Sequence, residues 1–373
     1  MTTIAPASLC PSLVTAIPHS LQVGWAINTR AIWARLIAID IPERIGALEP
    51  DLVERFQADL VAVWDGKGKL GVAVSGGPDS LALLLLADAL MPGRVEAATV
   101  DHALRAQSAQ EAAYVAKVCA ARSIPHETLN VEVQPGNLQA KAREARYAAL
   151  SSWMVRRGLA ALATAHHADD QAETLLMRLN RGSGLSGLAG VRARSWGHST
   201  NPPGEFELVR PLLAWRKSEL TDLLNDMEID AVQDSSNSDE DFDRVRIRKA
   251  LAEQDWLDPM AVAKSARLLG EMLHDVDRTL AAQRNRLVHE LDDGIVYLWG
   301  NGDAFEVENV HWIVERLGGS AQRSQIATMI ERLRNKQNAS LGGVLARSIM
   351  FEITPNTSSA AWRFEPEPPR KTG

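Results

Sequence analysis

Ser75-Gly76-Gly77-Pro78-Asp79-Ser80 follows the apolar run Gly71-Val72-Ala73-Val74 and precedes Leu81-Ala82-Leu83-Leu84-Leu85-Leu86. The order reads as strand, phosphate loop, helix. Val72 and Val74 are β-branched within a short run free of polar side chains, the pattern of a strand buried on both faces of a parallel sheet. Gly76 and Gly77 leave backbone N–H groups room to close on an anion, and Ser80 falls where a helix N-terminus adds its positive dipole end. A polyphosphate suits such a loop. It is not the Gly-x-x-x-x-Gly-Lys-Ser/Thr loop, because no Lys stands here to reach β- and γ-phosphates. Asp79 is the informative member. A carboxylate beside a triphosphate repels it unless a cation lies between them, so Asp79 implies Mg²⁺ as its metal and the loop implies ATP. Taken alone, the stretch also reads as an ordinary strand-to-helix turn capped by Asp and Ser.

Outward from this loop, strands and helices alternate. Asp51 to Trp64 carries Leu52, Val53, Phe56, Leu60, Val61 and Val63 at helical spacing and ends at the turn Asp65-Gly66-Lys67-Gly68. Beyond Pro92-Gly93, Arg94 to Val100 reads as a strand ending at Asp101-His102. A helix is expected over Ala106 to Arg122, a strand over Glu127 to Val133, a helix over Leu138 to Arg157, and a strand over Ala160 to Ala165 running into His166. This alternation predicts an α/β fold with a doubly wound parallel sheet. Ligands of such sheets lie at the carboxyl ends of strands, where Ser75 and His166 both fall.

Residues 195 to 205 read as an exposed, turn-rich loop, and 257 to 292 as a helix with Asp258-Pro259 as cap and first turn and Asp293-Gly294 as its stop. Strands are expected at Ile295 to Trp299 and Val344 to Ile353, helices at Val307 to Leu317 and Ser324 to Asn335. The expected organisation is an N-terminal extension (1–48), a catalytic domain (49–250), a helical linker (251–293), a small α+β C-terminal domain (294–360) and a tail (361–373).

At 373 residues the chain is long for one core, which agrees with two or three domains. Only Cys10 and Cys119 are present, without a Cys-x-x-Cys pair. That excludes a disulfide framework and a thiolate metal centre, and fits the reducing cytoplasm. No apolar run reaches the ~18 to 20 residues needed to span a bilayer, so no membrane partner is expected. The net charge of −7 argues against global attraction to nucleic acid. Locally, Arg323, Arg332, Arg334, Lys336 and Arg347 stand against Glu331 alone, which reads as a basic face for RNA or as a solvated helix surface.

His166-His167-Ala168-Asp169-Asp170-Gln171-Ala172-Glu173-Thr174 concentrates titratable groups at a strand end and a helix start. Asp170 and Glu173 stand three apart and share a helix face. Two such carboxylates can hold a metal or an ammonium group, and a His can move a proton near neutral pH. The same residues also suit a capped helix start whose acids oppose the dipole.

The phosphate loop resembles that of the pyrophosphatase-loop ATP users. His166 to Thr174, followed by Arg178-Leu179-Asn180-Arg181-Gly182-Ser183-Gly184-Leu185-Ser186-Gly187-Leu188-Ala189-Gly190, is similar to the tRNA(Ile)-lysidine synthetase branch of that family. So are Asp101-His102-Ala103-Leu104-Arg105, Ala142-Arg143-Glu144-Ala145-Arg146-Tyr147, Arg210-Pro211-Leu212-Leu213 and Leu341-Gly342-Gly343-Val344. Asp234-Ser235-Ser236-Asn237 and Phe242 to Arg248 resemble a further family segment, with Val245 where members usually carry Asn. Longer members add a second C-terminal subdomain, so a smaller grip on tRNA is expected here.

The resemblance implies ATP-dependent joining of free L-lysine to C2 of the wobble cytidine of an isoleucine tRNA with a CAU anticodon, through an adenylated cytidine. It implies that Ser75, Gly76, Gly77, Pro78, Asp79 and Ser80 bind ATP with Asp101, His102 and Arg105 on the adenosine side. Asp79, His166, Arg143 and Asp170 are the implied catalytic residues, and Arg146, Asp170 and Glu173 the lysine site. Arg178, Arg181, Arg244, Arg248, Arg332 and Arg334 are the implied tRNA contacts, and a homodimer is an expected assembly. Two rival readings use the same loop: a sulfur-inserting tRNA enzyme, which calls for reactive cysteines, and a nucleotide-sensing tRNA-binding module without turnover.

Overall fold

In the computed structural model the described residues are 47–102, 108–132, 138–232, 243–254, 256–299 and 305–367. The expected extension up to residue 46 and the end of the tail from 368 lie outside them. Helix α1 (Pro50–Val63) leads to strand β1 (Leu70–Ala73), buried along its whole length, and then to α2 (Pro78–Leu90). There follow β2 (Val95–Asp101), α3 (Ser108–Ala121), β3 (His126–Asn130), α4 (Leu138–Arg157), β4 (Ala161–Ala163), α5 (Ala168–Asn180) and α6 (Leu185–Leu188). The sheet is completed by β5 (Arg194–Thr200) and β6 (Pro203–Val209), and α7 (Lys217–Asp226) follows.

The strand order is β3-β2-β1-β4-β6-β5, parallel throughout except for β5, which pairs antiparallel with β6 at the edge. Side chains of alternate sheet positions enter two cores, because successive residues of a strand point to opposite faces. Val72, Ala97 and Ala163 pack with α1, α2, α3 and α7 through Phe56, Leu84, Val115 and Leu223. Ala73, Ala98 and Leu162 pack on the other face with Trp153 and Met154 of α4. Helix α2 is buried along most of its length, which explains why Leu81 to Leu86 shows no polar face. Shortening Leu84 to Ala there costs about 2–5 kcal/mol. Gly71 is required by close approach, since a Cβ would stand 2.6 Å from Met154 Sδ.

The chain moves from β1 to β2 and β3 on one side, then returns to place β4 on the other side of β1. That reversal makes the carboxyl ends of β1 and β4 a topological switch point, where a crevice opens for ligands. The phosphate loop and the His166–Thr174 segment leave the sheet there.

Past α8 (Asp243–Glu253), the 29-residue helix α9 (Pro259–Leu287) begins with Asp258 as N-cap, accepting from Met260 N at 2.9 Å and Ala261 N at 3.3 Å. It packs against α5 and α6 and leads into a second sheet. The small domain comprises β7 (Val288–Leu291), β8 (Gly294–Tyr297), α10 (Glu306–Arg316), α11 (Arg323–Arg334), β9 (Ala339–Leu341), β10 (Val344–Thr354) and β11 (Thr357–Pro366). Its antiparallel sheet runs β7-β8-β11-β10-β9, and Tyr297, Trp362 and Phe364 pack against Ile313, Ile326 and Ile330 of the helices.

Three expectations need correction. Residues 195 to 205 are not a loop but most of the β5–β6 hairpin, turning at Asn201-Pro202. The helix expected to 292 ends at Leu287, because 288–291 pair with β8 and Asp292-Asp293 turns that hairpin. Glu365 and Pro366, read as tail, are the end of β11, so the expected boundaries at 294 and 360 fall inside the second sheet.

Candidate active site

The phosphate loop is shaped from within. The Ser80 hydroxyl accepts from Ser75 N at 3.1 Å and donates to Gly77 O at 3.0 Å, tying the two ends of the loop together. Gly76 adopts φ +88°, a left-handed conformation that favours glycine, and its carbonyl accepts from Val232 N at 2.9 Å. Gly77 is the N-cap of α2 and supplies no capping side chain, while Pro78 opens the helix without an N–H to leave unsatisfied. The first-turn N–H groups are thus left for an anion. Asp79 lies in that turn, and its Oδ1 is buried with no hydrogen-bond partner.

His167, rather than His166, faces Asp79. It is the N-cap of α5: its Nδ1 accepts from Asp170 N at 3.4 Å, and Asp170 Oδ2 accepts from His167 N at 3.1 Å. Its Nε2 stands 3.5 Å from Asp79 Oδ2 and 3.5 Å from Asp170 Oδ2. Burial works against its charge, but the Asp79 hydrogen bond and the Asp170 and Asp169 carboxylates outweigh burial and hold its pKa above the ordinary value. Asp169 turns aside to Arg216 and Lys217 N.

His166 points elsewhere and meets Thr164 Oγ1 through Nδ1 at 3.0 Å. Its pKa is pushed down to about 4. Burial is the main cause; Asp170 opposes it, while the positive charges of Arg210, Arg146 and Arg244 add to it. The imidazole is therefore neutral at physiological pH.

A cavity of about 260 Å³ opens beside the loop, lined by Val74, Ser75, Thr99, His102, Ser108 and Arg146 among others. Asp101 at the end of β2 accepts from Ser108 Oγ at 2.5 Å, and the Nδ1 of His102 is buried without a partner. Arg146 and Arg210 both sit below the usual guanidinium range, burial being the main cause and the neighbouring charge of Arg143 a further one. Arg143 stacks on Tyr147, with 5.0 Å from its Cζ to the ring centroid. Arg210 is 7% exposed, donates to Arg192 O at 2.6 Å, and keeps Nε without a partner. Among the described residues, one wall of the site gathers the positive charges of Arg143, Arg146 and Arg210.

The opposite wall is closed. Glu173, whose side chain is 1% exposed, accepts from Arg244 Nε at 2.6 Å through Oε2 and from Arg248 Nε at 2.6 Å through Oε1, while Asp170 Oδ1 accepts from Arg244 Nη2 at 2.7 Å. Both arginines come from α8 and face inward. Arg178 and Arg181 are exposed beyond the main cluster, near the end of α5. The Gly182–Gly190 run contains α6, and the Arg323 guanidinium lies beside Gly184, joining the small domain to this surface. Arg332 is exposed on α11, whereas Arg334 pairs with Glu306. Arg105 lies outside the described residues, as do residues 234–237; Arg244 and Arg248 are the placed members of that region.

Two site residues escaped the sequence reading. His167 carries a legible signal, the His-x-x-Asp capping pattern, but nothing local tells which of two adjacent histidines faces the loop. Arg210 was noticed within Arg210-Pro211-Leu212-Leu213 without a role, because its proximity to His166 is made by the sheet.

Residues 49–255 match the PP-loop domain family. The chain is 42% identical over 327 residues to the tRNA(Ile)-lysidine synthase of Novosphingobium aromaticivorans, covering 85% of this chain and 94% of that one. It is 35% identical to the tRNA(Ile)-lysidine synthase of Zymomonas mobilis, over 82% of this chain and 90% of that one, and 39% identical to that of Ruegeria pomeroyi, over 79% and 72%. Among solved structures, the U34-tRNA thiolase of Methanococcus maripaludis aligns with 60% of this chain and 78% of its own at 17% identity and a TM-score of 0.49. With a PP-loop domain over residues 49–255 and most of its length aligned with such relatives at 35–42% identity, the chain belongs to the tRNA(Ile)-lysidine synthase family.

Proposed function

We propose that this protein joins free lysine to C2 of the wobble cytidine of an isoleucine tRNA bearing a CAU anticodon, consuming ATP and releasing AMP and pyrophosphate. The observation that carries this reading is the meeting at one switch point of an uncapped phosphate loop, an orphaned buried carboxylate oxygen and a cationic cavity wall.

The reaction has two steps. The cytosine C2 oxygen attacks the α-phosphorus of ATP, forming a new P–O bond as the bond to pyrophosphate breaks. The side-chain amine of lysine, having lost a proton, then attacks C2 and the C2–O bond breaks to release AMP. Cytosine oxygen is a poor leaving group and AMP a good one, which is the reason for the first step.

Loop N–H groups from Gly76 onward, held by Ser80, cradle the leaving pyrophosphate. Asp79 fits Mg²⁺ through its unpartnered Oδ1. That oxygen is buried and would hold the ion at the first turn of α2, beside the phosphate loop. When bound there, Mg²⁺ supplies charge neutralisation to the leaving phosphates. Arg146, Arg143 and Arg210 take the negative charge that grows at the α-phosphate, and the cavity between Thr99 and His102 receives the adenosine, with Asp101 and Ser108 at its edge. Arg105 is assigned to the same side.

His166, held neutral, serves as a hydrogen-bonding partner of the reacting base rather than as a strong base. The amine of lysine has an ordinary pKa of about 10.4, so its proton goes to the acidic wall, where Asp170 stands. We assign the cationic amino acid to Asp170 and Glu173, the carboxylates of that wall, which it meets beside their arginine partners Arg244 and Arg248. Arg178, Arg181 and Arg332 offer exposed charges to tRNA phosphates, and Arg334 does so from its pair with Glu306.

The sulfur-inserting reading finds no support. Cys119 is buried in the core and its thiol is pushed up to about 12, first by burial and then by Asp88. A binder without turnover would not need a buried, unpartnered carboxylate oxygen beside a phosphate loop. No helix among the described residues is long and apolar enough to cross a membrane, and we place the reaction in the cytoplasm with its tRNA substrate.

The test mixes purified protein with ATP, Mg²⁺, labelled lysine and an isoleucine tRNA transcript carrying CAU. The expected result is label in one nucleoside per tRNA, with AMP formed in equal amount, and none in a transcript with uridine at the wobble position. Transfer to both transcripts, or to neither, contradicts the assignment.

A further inference from the structure

Asp79 stands in the first turn of α2, where its carboxylate has two competing uses. Gly77, the N-cap, supplies no side chain to the free N–H groups of that turn, and an acidic residue in the first turn is the ordinary group to satisfy them. A carboxylate folded back on those N–H groups would fill the place of the phosphates. It would also withdraw the oxygen that an ion needs. Among the described residues one side chain pairs with Asp79 and can hold it away. That side chain is His167, whose Nε2 lies 3.5 Å from Oδ2, while Oδ1 stays buried and without a partner.

His167 is itself held fast. Its N donates to Asp170 Oδ2 at 3.1 Å, its Nδ1 accepts from Asp170 N at 3.4 Å, and Ala168 N donates to Trp215 O at 2.9 Å, so backbone and ring are both fixed on a side chain 4% exposed. A ring that accepts at Nδ1 carries its hydrogen on Nε2, the atom facing Asp79. Protonation of the ring leaves that hydrogen in place, so the donor is present in either charge state. Asp170 Oδ2 also lies 3.5 Å from Nε2, but it already accepts from His167 N, and Asp170 Oδ1 accepts from Arg244. Asp79 has no such second donor. The Nε2 hydrogen therefore serves Asp79.

We propose that His167 is a positioning residue for the metal: through Nε2 it holds Asp79 Oδ2, keeps the carboxylate off the loop N–H groups and turns Oδ1 toward the ion that accompanies the triphosphate. The inference rests on the reading of ATP and Mg²⁺ above and deepens it. A carboxylate that binds a metal is ordinarily hydrogen-bonded in turn, and that partner sets its orientation and the strength of the site. The proposal also gives the two adjacent histidines separate tasks. His167 is extended, with φ −125° and ψ −179°, and successive side chains of extended backbone point to opposite sides. His166 accordingly turns to Thr164 and His167 to the loop.

The test reads metal binding without turnover. Mn²⁺, followed by its electron paramagnetic resonance, is titrated into the full chain saturated with α,β-methylene ATP, which cannot release pyrophosphate. Two variants separate positioning from capping. His167→Asn keeps an oxygen for Asp170 N, Asn being a good N-cap, but is too short to reach Asp79. His167→Gln reaches Asp79 with an amide nitrogen and gives up the cap. His167→Asn should weaken Mn²⁺ binding roughly ten- to a hundredfold, with the melting temperature close to that of wild type. His167→Gln should bind Mn²⁺ more tightly than His167→Asn although its melting temperature is lower; if it does not fold, His167→Asn decides alone. The inference is overturned if His167→Asn binds Mn²⁺ as wild type does. It is also overturned if Mn²⁺ affinity follows the melting temperature across the variants, which would leave His167 a helix cap and nothing more. Wild type that binds no Mn²⁺ beside the nucleotide overturns the parent reading as well, whereas equal binding by wild type and His167→Asn overturns this inference alone.

Discussion

The two walls of the site treat charge in opposite ways. On the acidic wall each named carboxylate has a cation beside it: Asp170 and Glu173 meet Arg244 and Arg248, Asp169 meets Arg216, and His167 is held toward its protonated form among three aspartates. On the basic wall Arg146, Arg210 and His166 are all pushed toward their neutral forms, because burial is joined by other positive charges. A protein that stabilised only its own fold would have mixed the two sets. Their separation leaves one wall paired within the protein and gathers positive charge on the other, which is the arrangement expected where a triphosphate is bound and broken.

The largest effect that could break this comparison is at the loop between the walls. Asp79→Ala should lower pyrophosphate release by a factor on the order of a thousand, read by release assays with tRNA present, since the charge of the leaving group would lose its metal. A rate near wild type would remove Asp79 from the site.

The basic wall comes next. Arg146→Met should lower turnover roughly a hundredfold while leaving the melting temperature close to that of wild type, because it removes a half-buried cation that no described carboxylate pairs with. A fall in both quantities would show that Arg146 is structural. The acidic wall should respond in the reverse sense. Glu173→Gln should destabilise the protein by about 2–3 kcal/mol in urea unfolding, less than for a fully buried pair because its arginines are partly exposed. Unchanged stability would mean that the wall is not self-satisfied.

The smallest effect is in pH. His166 has a folded pKa of about 4, below the ordinary 6.5, so the unfolded chain binds the additional proton between those values. Its contribution to stability is complete above about pH 6.5 and is lost as pH falls toward 4, at about 1 kcal/mol per pH unit. Subtracting the profile of His166→Asn should reveal that slope; parallel profiles would mean that Asp170 compensates the burial.

What the sequence makes legible is what is local. The apolar run, the glycines and the leucine-rich helix of β1, loop and α2 lie within one stretch, and α4 was expected from Leu138 to Arg157, where it is found. The β5–β6 hairpin was not legible because its outer strand exposes Trp196 and His198 at the sheet edge and its turn is rich in Pro and Gly, so composition concealed alternation. No Gly or Pro separates α9 from β7, and the strand exists only because β8 pairs with it. In the site, Asp79, Asp170 and Glu173 were readable as chemistry, but the inward turn of Arg244 was not. Its partner Glu173 is 71 residues away, and a basic helix read alone suggests RNA.

The central claim is that this loop presents the α-phosphorus of ATP to a cytidine oxygen, and the most direct measurement withholds lysine. With ATP labelled at the α-phosphate, Mg²⁺ and the CAU transcript, the account predicts label attached to RNA, one per tRNA, that leaves as AMP when lysine is added. RNA that stays unlabelled while pyrophosphate is released, or label that lysine does not discharge, would contradict it.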